Sequence, residues 1–132
     1  MTSWHVQIFL AMIFVSLGGW CLLMPHTVEA LVFRPAYQHL TTTSAILVGC
    51  FGAQAVLVGT VIATARFRAS TFLIFGLTGS LPFFVFNSYF YYVAEVFTEW
   101  MLLDFIGNIG IFASGIIGYR LKISEESIVS QP

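Results

Sequence analysis

Charged residues are scarce in this chain. Only 8% of its 132 residues are Asp, Glu, Lys or Arg, whereas 58% are hydrophobic. Soluble domains carry about 25% charged residues, so this chain has too few to cover a surface exposed to water. We therefore expect one domain with the lipid bilayer as its main solvent. The formal net charge of −1 and the absence of a basic stripe argue against nucleic acid as a partner.

Motifs for catalysis and cofactor binding are also missing. The sequence contains no Gly-rich phosphate loop, nucleophile elbow, HExxH or haem-attachment motif. His5, His26 and His39 lie outside the apolar runs, which argues against a haem held in a helical core. Cys21 and Cys50 lie alone in apolar runs, as buried free thiols do. We expect no cofactor and no catalytic residue.

What the sequence does contain is four apolar runs long enough to cross a bilayer. About 20 helical residues span a hydrocarbon core of roughly 30 Å. No Lys or Arg precedes the first run, so we expect it to be a retained span and not a cleaved signal. The predicted fold is an all-α membrane protein, an antiparallel bundle of four transmembrane helices in a single domain over residues 1–123. Its predicted parts are spans at about 6–24, 43–65, 70–92 and 100–119, an interfacial segment at 26–40 that forms a short helix between the first two spans, and a polar tail at 124–132.

Small residues and one proline predict how these spans pack. Pro82 lies inside the third run and should kink it, because proline lacks a backbone N–H. Small residues repeat at i+4 in the second run and follow one another down the fourth, which allows close helix packing in lipid. These residues are Ala45, Gly49, Ala53, Ala55, Gly59 and Ala63, then Gly107, Gly110, Ser114, Gly115 and Gly118.

The basic residues predict an orientation. With four spans, both termini lie on the same side as the loop at 66–69. That side holds Arg66, Arg68, Arg120 and Lys122, whereas the other side holds only Arg34. The positive-inside rule then places both termini in the cytoplasm, with the protein in the inner (plasma) membrane of a bacterium.

A polar cluster is expected at the opposite, outer end. The candidate ligand-binding residues are Asp104, Asn108, Arg34, His39, Glu95 and Glu99, and weaker candidates for a metal site are His26 and Glu29. Carboxylates and imidazoles are the ligands that zinc, iron or manganese would use. The alternative is that these residues are polar only because they lie in loops exposed to water.

Asp104 is the most informative of these residues, because it lies about one turn inside the fourth span. A carboxylate at that depth needs a cation or a proton. Arg34 is its predicted partner, with His39 as the second candidate. The pair would either tie the interfacial segment to the fourth span or form part of a binding site. Asn87, Asn108 and Gln54 are expected to hydrogen-bond between helices.

The organisation resembles that of small four-span bacterial membrane proteins of the DoxX-like kind. The resemblance rests on a first span ending at Met24-Pro25, an amphipathic connector, a glycine-rich second span, a short basic loop and an acidic residue early in the last span. It covers most of the chain, and it implies a membrane protein without transferring any catalytic residue.

Two functions remain open. The first is a non-enzymatic accessory or scaffold component of a membrane complex, whose partners are the lipid bilayer and either other membrane subunits or further copies of itself. The second is a binding or transport module for a small or lipid-like ligand at the outer cluster around Asp104.

Overall fold

Helices occupy all four apolar runs in the computed structural model, which describes residues 2–129. The helices are α1 (Ser3–Leu23), α2 (Pro25–Val32), α3 (Thr42–Thr64), α4 (Ala69–Thr78), α5 (Leu81–Ser88) and α6 (Leu102–Val129). A wide π-turn at Tyr89–Val93 extends α5, and short 3-10 turns lie at Pro35–Tyr37 and Glu99–Met101. No strand is present within this range.

Four stretches of the structure are long and apolar enough to cross a membrane. They are Ser3–Leu23, Thr42–Thr64, Ala69–Val93 and Glu99–Ile128, with mean hydropathy 2.1, 2.2, 1.7 and 1.7. These bounds lie close to the predicted spans except at the end of the fourth. The prediction of an all-helical chain with four such helices is confirmed, and the short helix expected after the first span is present as α2.

The third span is broken at the position that its proline predicts. α4 ends at Thr78, and Pro82 lies in the first turn of α5. Backbone N–H groups in a first turn have no partner within the helix, so proline costs no hydrogen bond there. Between them, the Ser80 hydroxyl donates to the carbonyl of Gly76. The span therefore consists of two helices that can take different directions.

The long helices pack antiparallel, with α6 between α1 and α4. Between α1 and α3, Gly18 lies beside Ala55 and the Gln7 side chain reaches Ile62, so these two helices run in opposite directions. α6 meets α4 through Gly76 and Gly115, and a Cβ placed on Gly76 would lie 2.6 Å from the Cα of Gly115. Only glycine permits this approach.

The two ends of the bundle differ in how tightly they pack. We call one end of the bundle the terminal end; it holds residues 65–68, the start of α1 and the end of α6. The opposite end holds residues 24–41 and 94–101, and we call it the connector end. One cluster of buried hydrophobic residues lies nearer the terminal end and comprises Val6, Leu10, Ala11, Ile62, Phe67, Phe72 and Ile111. Val28 and Phe97 are buried at the connector end. Towards the connector end, α3 and α5 make no extensive contact with each other in the described residues. The helices consequently separate there.

Two features add to the sequence analysis. The predicted tail at 124–132 is helical as far as Val129, because Glu125 on α6 accepts hydrogen bonds from the backbone N–H and the hydroxyl of Ser3; residues 130–132 lie outside the described range. The small-residue face at Ala45, Gly49 and Ala53 is not covered, since a Cβ on Gly49 would meet no atom within 4 Å.

Candidate functional site

Asp104 lies in the first turn of α6 and is held by two asparagines. The side-chain amides of Asn87, on α5, and Asn108, one turn further along α6, both donate to Asp104 Oδ2, at 2.7 and 2.8 Å. The positive end of the α6 dipole also favours a carboxylate here. We call these three residues the Asp104 cluster. It confirms that Asp104 and Asn108 share a helix face and adds a partner from α5.

The prediction that Arg34 is the partner of Asp104 is wrong. Arg34 Nη1 lies 2.8 Å from Glu95 Oε2, and both side chains are largely exposed. Arg34 Nε also donates to the carbonyl of Phe97 at 3.2 Å. The guanidinium is therefore used at the surface of the connector end, away from the Asp104 cluster.

The position of Arg34 follows from backbone pairing between the two connectors. Phe33 and Phe97 form a single antiparallel bridge. The Arg34 N–H donates to the carbonyl of Val96 at 2.9 Å, and the Thr98 N–H donates to that of Val32 at 2.8 Å. The residues after α2 are thus fixed across the start of the fourth span. The segment therefore lies against the connector that leads into the fourth span.

Beneath this cover lies an apolar groove. The groove is a cavity of about 380 Å³ between α1, α3, α5 and the start of α6, with α2 above it. Its lining consists of Leu17, Trp20, Cys21, Val28, Val32, Phe33, Leu47, Val48, Phe51, Phe83, Phe86, Asn87, Phe97, Trp100, Met101, Leu103 and Asp104. Asp104 is the one charged residue in this lining.

A second cavity, of about 210 Å³, continues along the bundle below the groove. It is lined by Asn108 and Gln54 among apolar residues, and it shares Leu17, Phe51, Phe83 and Asp104 with the groove. Asp104 therefore lies where the two cavities meet. The volume of the groove falls in the range of about 300–1,000 Å³ that is typical of pockets for small ligands.

Several of the predicted site residues do not reach the groove. Arg34 and Glu95 pair on the surface, His39 and Glu99 are exposed, and none of the four lines either cavity. Of the predicted site residues, Asp104 lines both cavities and Asn108 lines the second cavity. Whether any of these residues binds a ligand stays a prediction.

The two metal candidates have separate surroundings. His26 is exposed, whereas the Glu29 side chain is buried, with Oε1 accepting hydrogen bonds from the backbone N–H groups of His39 and Leu40 at 2.7 and 2.8 Å. Across residues 2–129, no three His, Cys, Asp or Glu side chains come together as a metal site would require. Glu29 therefore acts as an anchor for the chain that enters α3.

Burial alone would raise the pKa of Glu29, but its hydrogen bonds outweigh burial. Contributions from the Ser44 hydroxyl and the backbone N–H groups of Leu40 and His39, together with the charge on His26, lower the pKa below its ordinary value. Donors that stabilise the charged form have this effect. Glu29 is consequently ionised at neutral pH and holds the end of the connector.

Asn87 hydrogen-bonds between helices, as predicted, but Asp104 was not identified as its partner. That Phe83 and Phe86 line a groove is a finding of the structure. The one signal for Asn87 was an amide five residues beyond Pro82 in an apolar run. For the aromatic lining, the sequence contained no signal that separates a groove from a lipid-facing surface.

Together, these observations define an all-helical protein that has four helices long and apolar enough to cross a membrane, with an apolar groove beside the Asp104 cluster. Compared with protein-family models, with curated proteins and with solved structures, the chain matches none of them. The resemblance to DoxX-like proteins stays a prediction.

Proposed function

We propose that this protein binds a small amphipathic molecule in the groove between α3 and α5, as a non-enzymatic binding or transport module. The observation that carries this proposal is the combination in one cavity of an apolar lining and a single carboxylate held in place by Asn87 and Asn108. A pocket with a few fixed polar groups in an apolar wall is the usual form of a small-molecule site.

The groove is placed to receive a molecule from the bilayer. Leu47 and Phe51 on α3 are 67% and 53% exposed, and Phe83 and Phe86 facing them from α5 are 38% and 47% exposed. The side of the groove that these residues form is therefore open, and it opens between two membrane-spanning helices. A hydrophobic molecule dissolved in lipid would enter sideways, without passing through water.

Direct binding tests the proposal. The probe is radiolabelled 4-phenylbutanol, and the protein is placed in lipid nanodiscs, with empty nanodiscs as the background. We expect saturable binding that Leu47→Trp weakens by about tenfold or more, because the larger side chain fills the groove. Leu57→Trp is the matched control, since Leu57 is 63% exposed on the same helix and lines neither cavity. Equal effects of the two substitutions would refute the site.

The basic residues support an orientation for the groove. The terminal end carries Arg66, Arg68, Arg120 and Lys122, whereas Arg34 at the connector end is paired with Glu95. We place both termini in the cytoplasm of a bacterial cell, so that the groove opens in the outer half of the inner membrane. A reporter fused to the C-terminus that is active only outside the cytoplasm would reverse this orientation.

A second candidate function is that of an accessory or scaffold subunit. Its support is the uncovered small-residue face of α3, at Ala45, Gly49 and Ala53, which would let another membrane helix approach closely. Gly49→Ile should then abolish co-purification of a partner or of a second copy. Gly19→Ile is its control, because a Cβ on Gly19 also meets no neighbouring atom. Unchanged assembly in Gly49→Ile would remove this candidate.

A further inference from the structure

The charge of the groove is not balanced within the described chain. Two ion pairs occur in residues 2–129, Arg34 with Glu95 and Lys122 with Glu125, and neither involves Asp104. The lining of the groove contains no Lys, Arg or His. A carboxylate surrounded by apolar groups is costly unless a cation or a proton binds to it.

The hydrogen bonds of the Asp104 cluster leave one carboxylate oxygen unused. Asn87 and Asn108 both donate to Oδ2, and Oδ1 accepts no hydrogen bond from the residues that the structure describes. Asp104 also lines both cavities, so that a ligand in either one is adjacent to it. The free oxygen is an acceptor, and it suits a ligand atom that donates a hydrogen bond or carries positive charge.

Asn87 provides a second, independent sign of a ligand. Its side chain is 2% exposed and lines the groove, and its carbonyl oxygen Oδ1 is buried without a partner in the described part of the chain. Because its amide nitrogen donates to Asp104, the oxygen cannot exchange places with the nitrogen without losing that bond. A buried acceptor left unpaired is destabilising. This wall of the groove thus offers acceptors, which disfavours an anionic ligand.

The rest of the lining suits a positive charge as well. Trp20 and Trp100 line the groove together with Phe83, Phe86 and Phe97. The faces of aromatic rings carry partial negative charge and attract cations, most strongly for Trp. An apolar body can lie against the same rings, since they are also hydrophobic.

From this charge pattern we propose that the ligand is a hydrophobic alkylammonium ion, with its N–H groups at Asp104 and its apolar body between α3 and α5. The proposal rests on the function proposed above and names its ligand class. A cavity of about 380 Å³ accommodates a single hydrophobic body of drug-like size and not a phospholipid with two acyl chains. The phosphate of such a lipid would also bring negative charge to a wall of acceptors.

Three probes of the same shape test the charge preference. They are 4-phenylbutylammonium, 4-phenylbutanol and 4-phenylbutanoate, measured on the full chain in phosphatidylcholine nanodiscs at neutral pH, with empty nanodiscs subtracted for each probe. We expect the cation to bind about tenfold or more tightly than the alcohol, and the anion to show no saturable binding. Equal affinity for the cation and the alcohol would overturn the proposal and leave the general binding function standing. No saturable binding of any probe would refute both.

Two variants test whether Asp104 causes the preference for the cation over the alcohol. Asp104→Asn should bring the affinity for the cation down to that for the alcohol, whereas Leu47→Trp should weaken both probes equally. If Asp104→Asn does not fold, the comparison of probes on the unaltered protein still decides the question. A cation preference that persists in a folded Asp104→Asn variant contradicts the role of Asp104. Replacing phosphatidylcholine by phosphatidylethanolamine should leave cation binding unchanged, and competition by that lipid would assign the groove to a lipid headgroup instead.

Discussion

Asn87 Nδ2 donates to Asp104 Oδ2 at 2.7 Å and so joins α5 to α6. Hydrogen bonds between membrane helices contribute about 0.6 kcal/mol on average and up to about 1.7 kcal/mol. A double-mutant cycle with Asn87→Ala and Asp104→Ala should therefore give a coupling energy of that size, measured by reversible unfolding in mixed micelles.

The control cycle pairs Asn87→Ala with Glu99→Ala. Glu99 is exposed in the turn before α6, so its coupling to Asn87 should be close to zero. Equal coupling in the two cycles would show that the Asn87–Asp104 bond does not link the helices.

The contact between Gly76 and Gly115 should tolerate no side chain. A Cβ on Gly76 would lie 2.6 Å from the Cα of Gly115, and neither backbone can move without separating α4 from α6. We expect Gly76→Ala to lower the free energy of unfolding by about 1–3 kcal/mol, the usual cost of overpacking.

Gly49→Ala is the matched control for this contact. Its Cβ would meet nothing within 4 Å, and alanine favours a helix over glycine by roughly 0.5–1 kcal/mol. We expect a small gain in stability by the same unfolding measurement. A loss comparable with that of Gly76→Ala would mean that a helical glycine is needed at both positions for some other reason.

Acid should release the chain that Glu29 anchors. The pKa of Glu29 is lowered in the folded protein because its hydrogen bonds and the charge on His26 outweigh the effect of burial. The stabilisation is therefore complete above the ordinary glutamate pKa of about 4.3 and is lost as the pH falls through the lower, folded value.

Hydrogen exchange at the backbone amides of His39 and Leu40 measures this release, since both donate to Glu29. Their protection should fall in acid, after correction for the intrinsic pH dependence of exchange. In Glu29→Gln, protection should be weaker at neutral pH and should change less with acid. Protection that falls equally in both proteins would assign the effect to another group.

The exposed ion pair of Arg34 and Glu95 should contribute little. Their side chains are 42% and 66% exposed, and pairs of this kind are worth less than about 1 kcal/mol. Glu95→Gln should thus lower the free energy of unfolding by less than that amount.

Glu95→Gly should be neutral or stabilising. Glu95 has a φ of 52°, a left-handed conformation that costs a non-glycine residue about 1–2 kcal/mol. Relief of that cost offsets the loss of the ion pair. A loss above about 2 kcal/mol in the glycine variant would show that the Glu95 side chain has a further contact.

The elements of the fold could be predicted because each depends on local composition. The length of an apolar run decides whether a helix can cross the bilayer. Pro82 breaks the helix of the third run through its own backbone, whatever the neighbouring helices are. The end of α6 could not be predicted in this way. Its last turns are stabilised by the contact between Glu125 and Ser3, which are 122 residues apart.

The site was less predictable, since it depends on how the helices align. Asp104 could be identified from the cost of a charge in an apolar run, and Asn108 from helical spacing. The choice of Asn87 over Arg34 as a partner depends on the bridge between Phe33 and Phe97, which holds Arg34 beside Glu95. A single backbone bridge leaves no pattern in the sequence.

The break before Pro82 divides the third span into two parts that have different contacts. α4 packs against α6 through Gly76 and Gly115, whereas α5 contributes Phe83 and Phe86 to the lining of the groove. Substitutions over residues 81–93 other than Asn87 can therefore diversify what the groove accepts without disturbing the contact between Gly76 and Gly115. Among natural variants of this chain, we expect the α5 half to evolve quickly and the α4 half slowly.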